Sequence, residues 1–360
     1  MPTGRLTEFH SRLAEGGISM TTVAYGAVND MGRTHAEQMY IHDEVMPMLE
    51  NLTASVHQYR CAASIQLTHC GYFSRNKQIK GQNPLAPSRR LNMYGTMEGL
   101  IYSKSMSEEE IFQTAEAFSS AASFSKRAGF DAVEIHMGHG YLISQFLSPT
   151  INFRTDKYGG SLKNRLRFPL LVLEKVREAV GQDYPVLCKM NLEDGFVGGL
   201  KINESIEIAR ALEKSGADAL VLSGGYTSKT PFYLMRGEVP LWQMIRAERK
   251  LIQKIAMAVL GKVIIRKYRF EENFFLPLAG KIRQAVNLPL VYLGGVVSAD
   301  GVNQIMKEGF DMIAIGRALI HDPDFISHIE KDRSHISECN HCNQCVAEMD
   351  RDGVRCVLVE

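Results

Sequence analysis

Two imidazoles and a phenol fall within six residues of one another in His136-Met137-Gly138-His139-Gly140-Tyr141. An imidazole N–H can polarise a carbonyl oxygen, and a phenol with a pKa of about 10 can deliver a proton to carbon. The spacing H-x-x-H also suggests a metal pair. Against that, ligands at i and i+3 usually sit on a helix, and no carboxylate follows at ligand spacing. Either histidine alone reads as a hydrogen-bonded core residue. The three together read as a site for activating and protonating an electrophile.

That site needs an element to aim it. Ala132–His136 has the apolar, β-branched character of a strand, and alternation puts Glu134 and His136 on one face with Val133 and Ile135 on the other. Six more strands are predicted at Ile18–Tyr25, Ala62–Leu67, Val186–Asn191, Ala219–Ser223, Leu290–Leu293 and Met312–Ile315. Amphipathic segments separate them, as parallel strands with helical crossovers require. One helix begins at the capping box Ser107-Glu108-Glu109-Glu110 and stops at Gly129. Three turns repeat one pattern: Arg127-Ala128-Gly129-Phe130-Asp131, Lys214-Ser215-Gly216-Ala217-Asp218 and Lys307-Glu308-Gly309-Phe310-Asp311. Such repetition, with polar residues at several strand ends, favours a (β/α)₈ TIM barrel over an open sheet. No G-x-G-x-x-G turn follows an early strand, which argues against a dinucleotide-binding half. Two long connections, from Cys70 to Met106 and from Gly224 to about Asn273, fall on the catalytic face. The second carries a basic helical stretch over Leu241–Leu260.

Glu134-Ile135-His136-Met137-Gly138-His139-Gly140-Tyr141-Leu142 continues through Gln145-Phe146-Leu147-Ser148-Pro149, Asn152, Arg154-Thr155-Asp156, Tyr158-Gly159-Gly160-Ser161 and Asn164-Arg165. This long run resembles the signature of the old yellow enzyme family of NADH:flavin oxidoreductases, and looser likeness extends from about Gly16 to Asp324. The resemblance implies FMN at the barrel mouth, with NADH or NADPH as reductant and a small α,β-unsaturated carbonyl compound as substrate. It implies that His136 and His139 bind the carbonyl oxygen and that Tyr141 protonates the α-carbon. Gln66 would meet the flavin pyrimidine edge, and Ala27 would pack against the ring. Gly294-Gly295 and Gly316-Arg317, after the last two strands, would cradle the phosphate, where barrels commonly bind it. Lys189 faces inward by alternation and would stabilise negative charge near the flavin N1. The family usually has arginine there, so a point charge replaces a fork. Glu134 is expected to pair with Lys189 and orient it. Tyr72 stands where the family commonly has arginine.

The segment Met1–Gly17 reads as a helix, and the family's first strand has no counterpart there. A seven-stranded barrel would leave two unpaired edges. Either the chain starts at an internal methionine, or it is an incomplete gene product, or another element fills the gap. Residues 1–330 are expected to form the FMN-binding barrel and residues 331–360 a cysteine-containing tail. Cys339, Cys342, Cys345 and Cys356 are spaced to hold a [4Fe–4S] cluster or structural zinc. The tail is similar to that of the family's 2,4-dienoyl-CoA-reductase-like branch, where the pattern is one residue longer between the second and third cysteines. With 41 basic and 40 acidic residues the net charge is +1, and no charged block points to nucleic acid. No stretch reaches the roughly 18 apolar residues of a membrane span, and no apolar run follows the first residues. Seven cysteines without a leader favour free thiols or a metal in a cytoplasmic protein. The expected function is therefore an FMN-dependent ene reductase, free to form a homo-oligomer. Its alternatives are an FMN/iron–sulfur dienoyl-CoA-reductase-like module and a truncated, non-catalytic barrel with impaired flavin binding.

Overall fold

Seven parallel strands lie side by side in chain order. They are β1 (Met20–Ala27), β2 (Ala62–Thr68), β3 (Ala132–His136), β4 (Val186–Asn191), β5 (Ala219–Ser223), β6 (Leu290–Leu293) and β7 (Met312–Ala314). The computed structural model describes residues 3–79, 81–248, 250–349, 351 and 353–359. Met1, Pro2 and Arg249, which belong to the expected N-terminal helix and basic stretch, lie outside the described residues. Six strands begin where the sequence places them. β1 starts two residues later, because Gly17 (φ 96°) turns the chain out of the preceding helix. It then runs on to Ala27 through a register shift between Ala24 and Gly26.

Alternation sorts the strand residues onto two surfaces. Val23, Ile65, Val133 and Ile135 point outward into one large core shared with helix residues such as Phe118 and Phe168. Burying each such side chain is worth about 1.5–3 kcal/mol. Leu187, Ala219, Val221 and Val291 point inward and form a separate cluster. Met20 from β1 and Ala314 from β7 both pack on that inner cluster. The two edges of the sheet therefore curl toward each other, as in a barrel with one strand fewer than eight. Among the described residues β1 and β7 share no ladder.

The helix Gly4–Glu15 spans this seam from outside. His10 Nδ1 lies 2.7 Å from Thr21 Oγ1 on β1. Arg12 forms an ion pair with Asp324, and Leu13 packs with Leu319 and Phe325 beyond β7. Behind the helix a cavity of about 760 Å³ reaches between the edges to Glu134, Lys189 and Gly316.

The three repeated turns have one mechanism. Gly129, Gly216 and Gly309 have φ of 85°, 87° and 84°, the left-handed conformation that ends a helix without steric cost. The aspartate two residues on then caps the neighbouring strand. Asp131 accepts the Ala63 N–H (2.7 Å), Asp218 that of Val186 (2.7 Å) and Asp311 that of Leu290 (2.9 Å). The capping box at Ser107 and Glu110 is formed, and its helix covers Glu108–Arg127.

The first long connection contains a two-stranded ladder, Leu85–Ala86 with Lys104–Ser105, that carries no sequence signal. The second contains two helices, Leu241–Ala247 and Leu251–Ile264, where one continuous stretch was expected. The tail packs on this connection. Asn343 Nδ2 donates to the carbonyls of Met235 (2.7 Å) and Glu238 (2.8 Å), and His341 stacks on Phe270. Among the described residues no helix is long and apolar enough to cross a membrane.

Candidate active site

β3 delivers His136 to the barrel mouth, and a tight turn folds the next residues back over it. His139 (φ 57°) and Gly140 (φ 80°) are both left-handed. A Cβ on Gly140 would stand 2.5 Å from the Tyr226 ring, so only glycine fits beneath that aromatic. Tyr141 then begins the helix Leu142–Leu147. Gln145 on this helix locks the turn, donating to the carbonyls of Gly140 (2.7 Å) and Cys70 (2.9 Å) while accepting the Tyr72 N–H (3.1 Å). Asn152 likewise donates to the carbonyls of Phe146 (2.9 Å) and Tyr158 (2.8 Å). Gln145 and Asn152 thus hold the loops that carry the chemistry.

The two imidazoles form a chain. Gly138 N–H donates to Nδ1 of His136 (3.2 Å), which leaves the proton on Nε2. That Nε2 lies 3.2 Å from Nδ1 of His139, whose Nε2 is 2.6 Å from Ser223 Oγ. One tautomer of each ring satisfies every contact. Burial holds His136 well below the ordinary imidazole range, with the charges of His139 and Lys189 adding to it. His139 is lowered to about 3, first by burial and then by Lys189. Both rings are neutral hydrogen-bonding groups at pH 7. The Tyr141 ring sits 4.5 Å from that of His136, 5.1 Å from Tyr25 and 5.3 Å from Phe73. Burial, then Tyr25, holds the phenol well above its ordinary pKa, so it keeps its proton.

Deeper in the barrel, Gln66 Nε2 and Lys189 Nζ both donate to Glu134 Oε1, the lysine over 2.9 Å. The inward pairing of Glu134 with Lys189 is as the alternation requires. Ala27, at the end of β1, is fully buried. Thr68, two residues beyond Gln66 on the same face, has a buried hydroxyl without a partner among the described residues. An orphaned donor beside an amide and a cation fits the polar edge of a flavin ring.

The expected phosphate end is less uniform. A Cβ on Gly316 would meet nothing within 4 Å, so its backbone is open to a ligand. At Gly294 and Gly295 the chain's own aromatics fill that space, with Tyr292 Oη at 2.9 Å and Phe274 Cδ1 at 2.7 Å from the Cβ positions. Arg317 turns to the tail, donating to the Arg236 carbonyl (2.7 Å) and Asn343 Oδ1 (2.6 Å). Burial lowers the Arg317 guanidinium from its ordinary value, and the neighbouring Cys339, Cys345 and Cys342 oppose that shift. No three of the tail's sulfurs lie within 4.8 Å of one another among the described residues. The residues present thus fit FMN at its ring end and, through Gly316, at one point of the phosphate end.

Three positioning residues escaped the sequence reading. Asn191 Oδ1 accepts the His139 N–H (3.0 Å) while its Nδ2 donates to Asp194 Oδ1 (2.9 Å). Ser223 holds His139 Nε2, and Tyr25 packs on Tyr141. Asn191 and Ser223 were findable, since both are inward-facing polar residues ending a strand. Tyr25 was not, because the shift at Ala24/Gly26 breaks the alternation of β1. Tyr72 is buried, its hydroxyl 2.5 Å from Ser228 Oγ and its ring 5.8 Å from the Arg90 guanidinium.

A curled parallel sheet with polar residues gathered at its strand ends is the frame of a β/α-barrel oxidoreductase. Residues 1–230 match the model of the NADH:flavin oxidoreductase / NADH oxidase family, and the chain belongs to that family. It is 38% identical to 4,4′-dithiodibutanoate disulfide reductase of Rhodococcus erythropolis, over 99% of this chain and 88% of that protein. It is 30% identical to an NADH oxidase of Thermoanaerobacter brockii over 94% of this chain, but spans only 47% of that protein's length. Its fold is similar to that of an old yellow enzyme homologue from Zymomonas mobilis, with a TM-score of 0.69, 19% identity and coverage of 93% of this chain and 85% of the other. The chain is thus an NAD(P)H-dependent flavin oxidoreductase by family.

Proposed function

We propose that the protein reduces a small α,β-unsaturated carbonyl compound, with His136, His139 and Tyr141 as its catalytic residues. The observation that carries this reading is that the His136 ring touches both a second neutral imidazole, His139, and the protonated phenol of Tyr141 at one strand end. FMN, when bound, would supply the hydride-transfer chemistry between NADH or NADPH and the substrate. Gln66, Ala27 and Lys189 would hold its ring and Gly316 its phosphate end, where Gly294, Gly295 and Arg317 would join only by giving up their present neighbours Tyr292, Phe274 and Asn343. With substrate bound, the imidazole N–H groups would turn from their contacts with each other and with Ser223 to the substrate's carbonyl oxygen and disperse the charge that develops there. Tyr141 gives its proton to the α-carbon, where a phenol can protonate an enolate although it is a weak acid in water. Residues 1–330 act as the flavin-binding unit. Only the alternative iron–sulfur reading would have Cys339, Cys342, Cys345 and Cys356 of the 331–360 tail carry a [4Fe–4S] cluster.

A second reading concerns the electrophile alone. The Rhodococcus relative is named for a disulfide substrate, and the same hydrogen-bond donors could protonate a leaving thiolate. Steady-state NAD(P)H oxidation with a cyclic enone and with 4,4′-dithiodibutanoate tests the two. Turnover of the enone to saturated ketone supports the first reading; turnover of the disulfide alone replaces it with the second.

A further inference from the structure

Outside the reaction centre, Asp322, His328 and His335 each place a ligand atom within 4.8 Å of the other two. Asp322 Oδ2 lies 2.8 Å from His328 Nδ1 and 3.7 Å from His335 Nε2. Donors about 2.0–2.1 Å from a tetrahedral zinc ion stand about 3.3–3.4 Å apart. The two measured separations bracket that value, so small side-chain shifts would close the cage.

Local structure aims all three groups. The helix Arg317–His321 ends at Asp322, whose second oxygen Oδ1 accepts the Asp324 N–H (3.0 Å). This turn leaves Oδ2 facing the helix Phe325–Lys331, which carries His328. The chain then bends back, with His335 N–H donating to the Asp332 carbonyl (3.0 Å). The His335 ring lies 5.1 Å from that of His328 and 6.0 Å from Phe325. The whole segment is anchored on the N-terminal helix, through Asp324 to Arg12 and through Ser327 Oγ to the Gly16 carbonyl (3.0 Å). Asp322 and His335 are partly buried, whereas His328 is 45% exposed and leaves a route for an ion.

We propose that Asp322, His328 and His335 form a zinc site, with water as the fourth ligand. Two imidazoles and a carboxylate suit a borderline divalent ion, while magnesium and calcium favour oxygen donors alone. Without the ion, the Asp322–His328 hydrogen bond keeps the donors in place, so coordination need not order a loop. With it, the ion ties the helix that starts beside Gly316 to the helix anchored on Arg12. The ion would therefore brace the open seam between β1 and β7 from outside.

The test is calorimetric titration of zinc chloride into the purified protein and its variants His328→Ala, His335→Ala and Asp322→Asn, with Cys342→Ser as control for the tail thiols. Wild type and Cys342→Ser should share one zinc equivalent that the three ligand variants lose or bind at least about tenfold more weakly. Zinc should raise Tm in the first two proteins and raise it less or not at all in the other three. Equal stoichiometry and affinity in His328→Ala and wild type overturns the proposal, as does loss of the equivalent in Cys342→Ser alone. Should His335→Ala fail to fold, as circular dichroism would show, the exposed His328 carries the comparison.

Discussion

Lys189 Nζ lies 2.9 Å from Glu134 Oε1, an ion pair formed between neighbouring strands inside the barrel. The carboxylate also accepts from Gln66 Nε2, so one buried residue orients two of the groups assigned to the flavin ring. Removing one partner of a buried pair typically costs about 3–5 kcal/mol, because the other charge is left unpaired. Glu134→Gln keeps a hydrogen-bond acceptor but frees the lysine. It should weaken FMN binding about tenfold or more (a tenfold loss is about 1.4 kcal/mol), read by equilibrium dialysis. Unchanged affinity would remove Glu134 from the flavin site.

Ser223→Ala deletes the 2.6 Å contact to His139 Nε2. A hydrogen bond of this kind is worth about 1 kcal/mol net, so overall stability should fall little. The larger effect should be on the tautomer of His139, since among the described residues Ser223 alone holds that nitrogen. A new mixture of tautomers in ¹⁵N imidazole spectra, with a rate loss of roughly tenfold, is expected. A single unchanged tautomer counts against the assigned chain of contacts.

The barrel strands were legible because their residues obey one rule. Val133 and Ile135 meet helices while Glu134 and His136 meet the interior, and a single alternation reads both. The three Gly-Phe/Ala-Asp turns were legible as repetition, although the strand-capping role of Asp131, Asp218 and Asp311 needs three dimensions. What sequence could not show is whether glycines face a ligand or the chain itself. Gly294 and Gly316 look alike in sequence, yet Tyr292 fills the space at one and nothing fills it at the other. Arg317 is a similar case, since its partner Asn343 lies in a tail with no periodic signal.

Gly140→Ala should disable the site by geometry alone. The added methyl would meet the Tyr226 ring at 2.5 Å in a backbone with φ of 80°. A strained left-handed residue costs about 1–3 kcal/mol, and relief of the clash must move His139 or Tyr226. Chemical denaturation should show that loss, and a crystal structure of the variant should show the shift of His139. Wild-type stability would mean that the turn is looser than described.

Stability should fall as the solution is acidified from about pH 6.5. His10 is lowered to about 4 and His69 and His139 to about 3, in each case chiefly by burial. The unfolded chain takes up protons near pH 6.5 that the folded one refuses until far lower. Folding is therefore favoured fully above that pH and progressively less as pH falls toward 3–4. Each such histidine contributes up to about 1.4 kcal/mol per pH unit in the window. Urea midpoints at stepwise lower pH test this, and a midpoint constant from about pH 6.5 to 4.5 would contradict the buried neutral state.

The central claim is that Tyr141 gives a proton to substrate and takes no part in oxidising the nicotinamide. The most direct measurement follows the two half-reactions of Tyr141→Phe separately by anaerobic stopped-flow. Alkene reduction should slow at least about a hundredfold, the usual range for loss of a general acid, while NAD(P)H oxidation by the FMN-loaded protein keeps its rate. If both half-reactions slow together, or neither does, Tyr141 is not the proton donor.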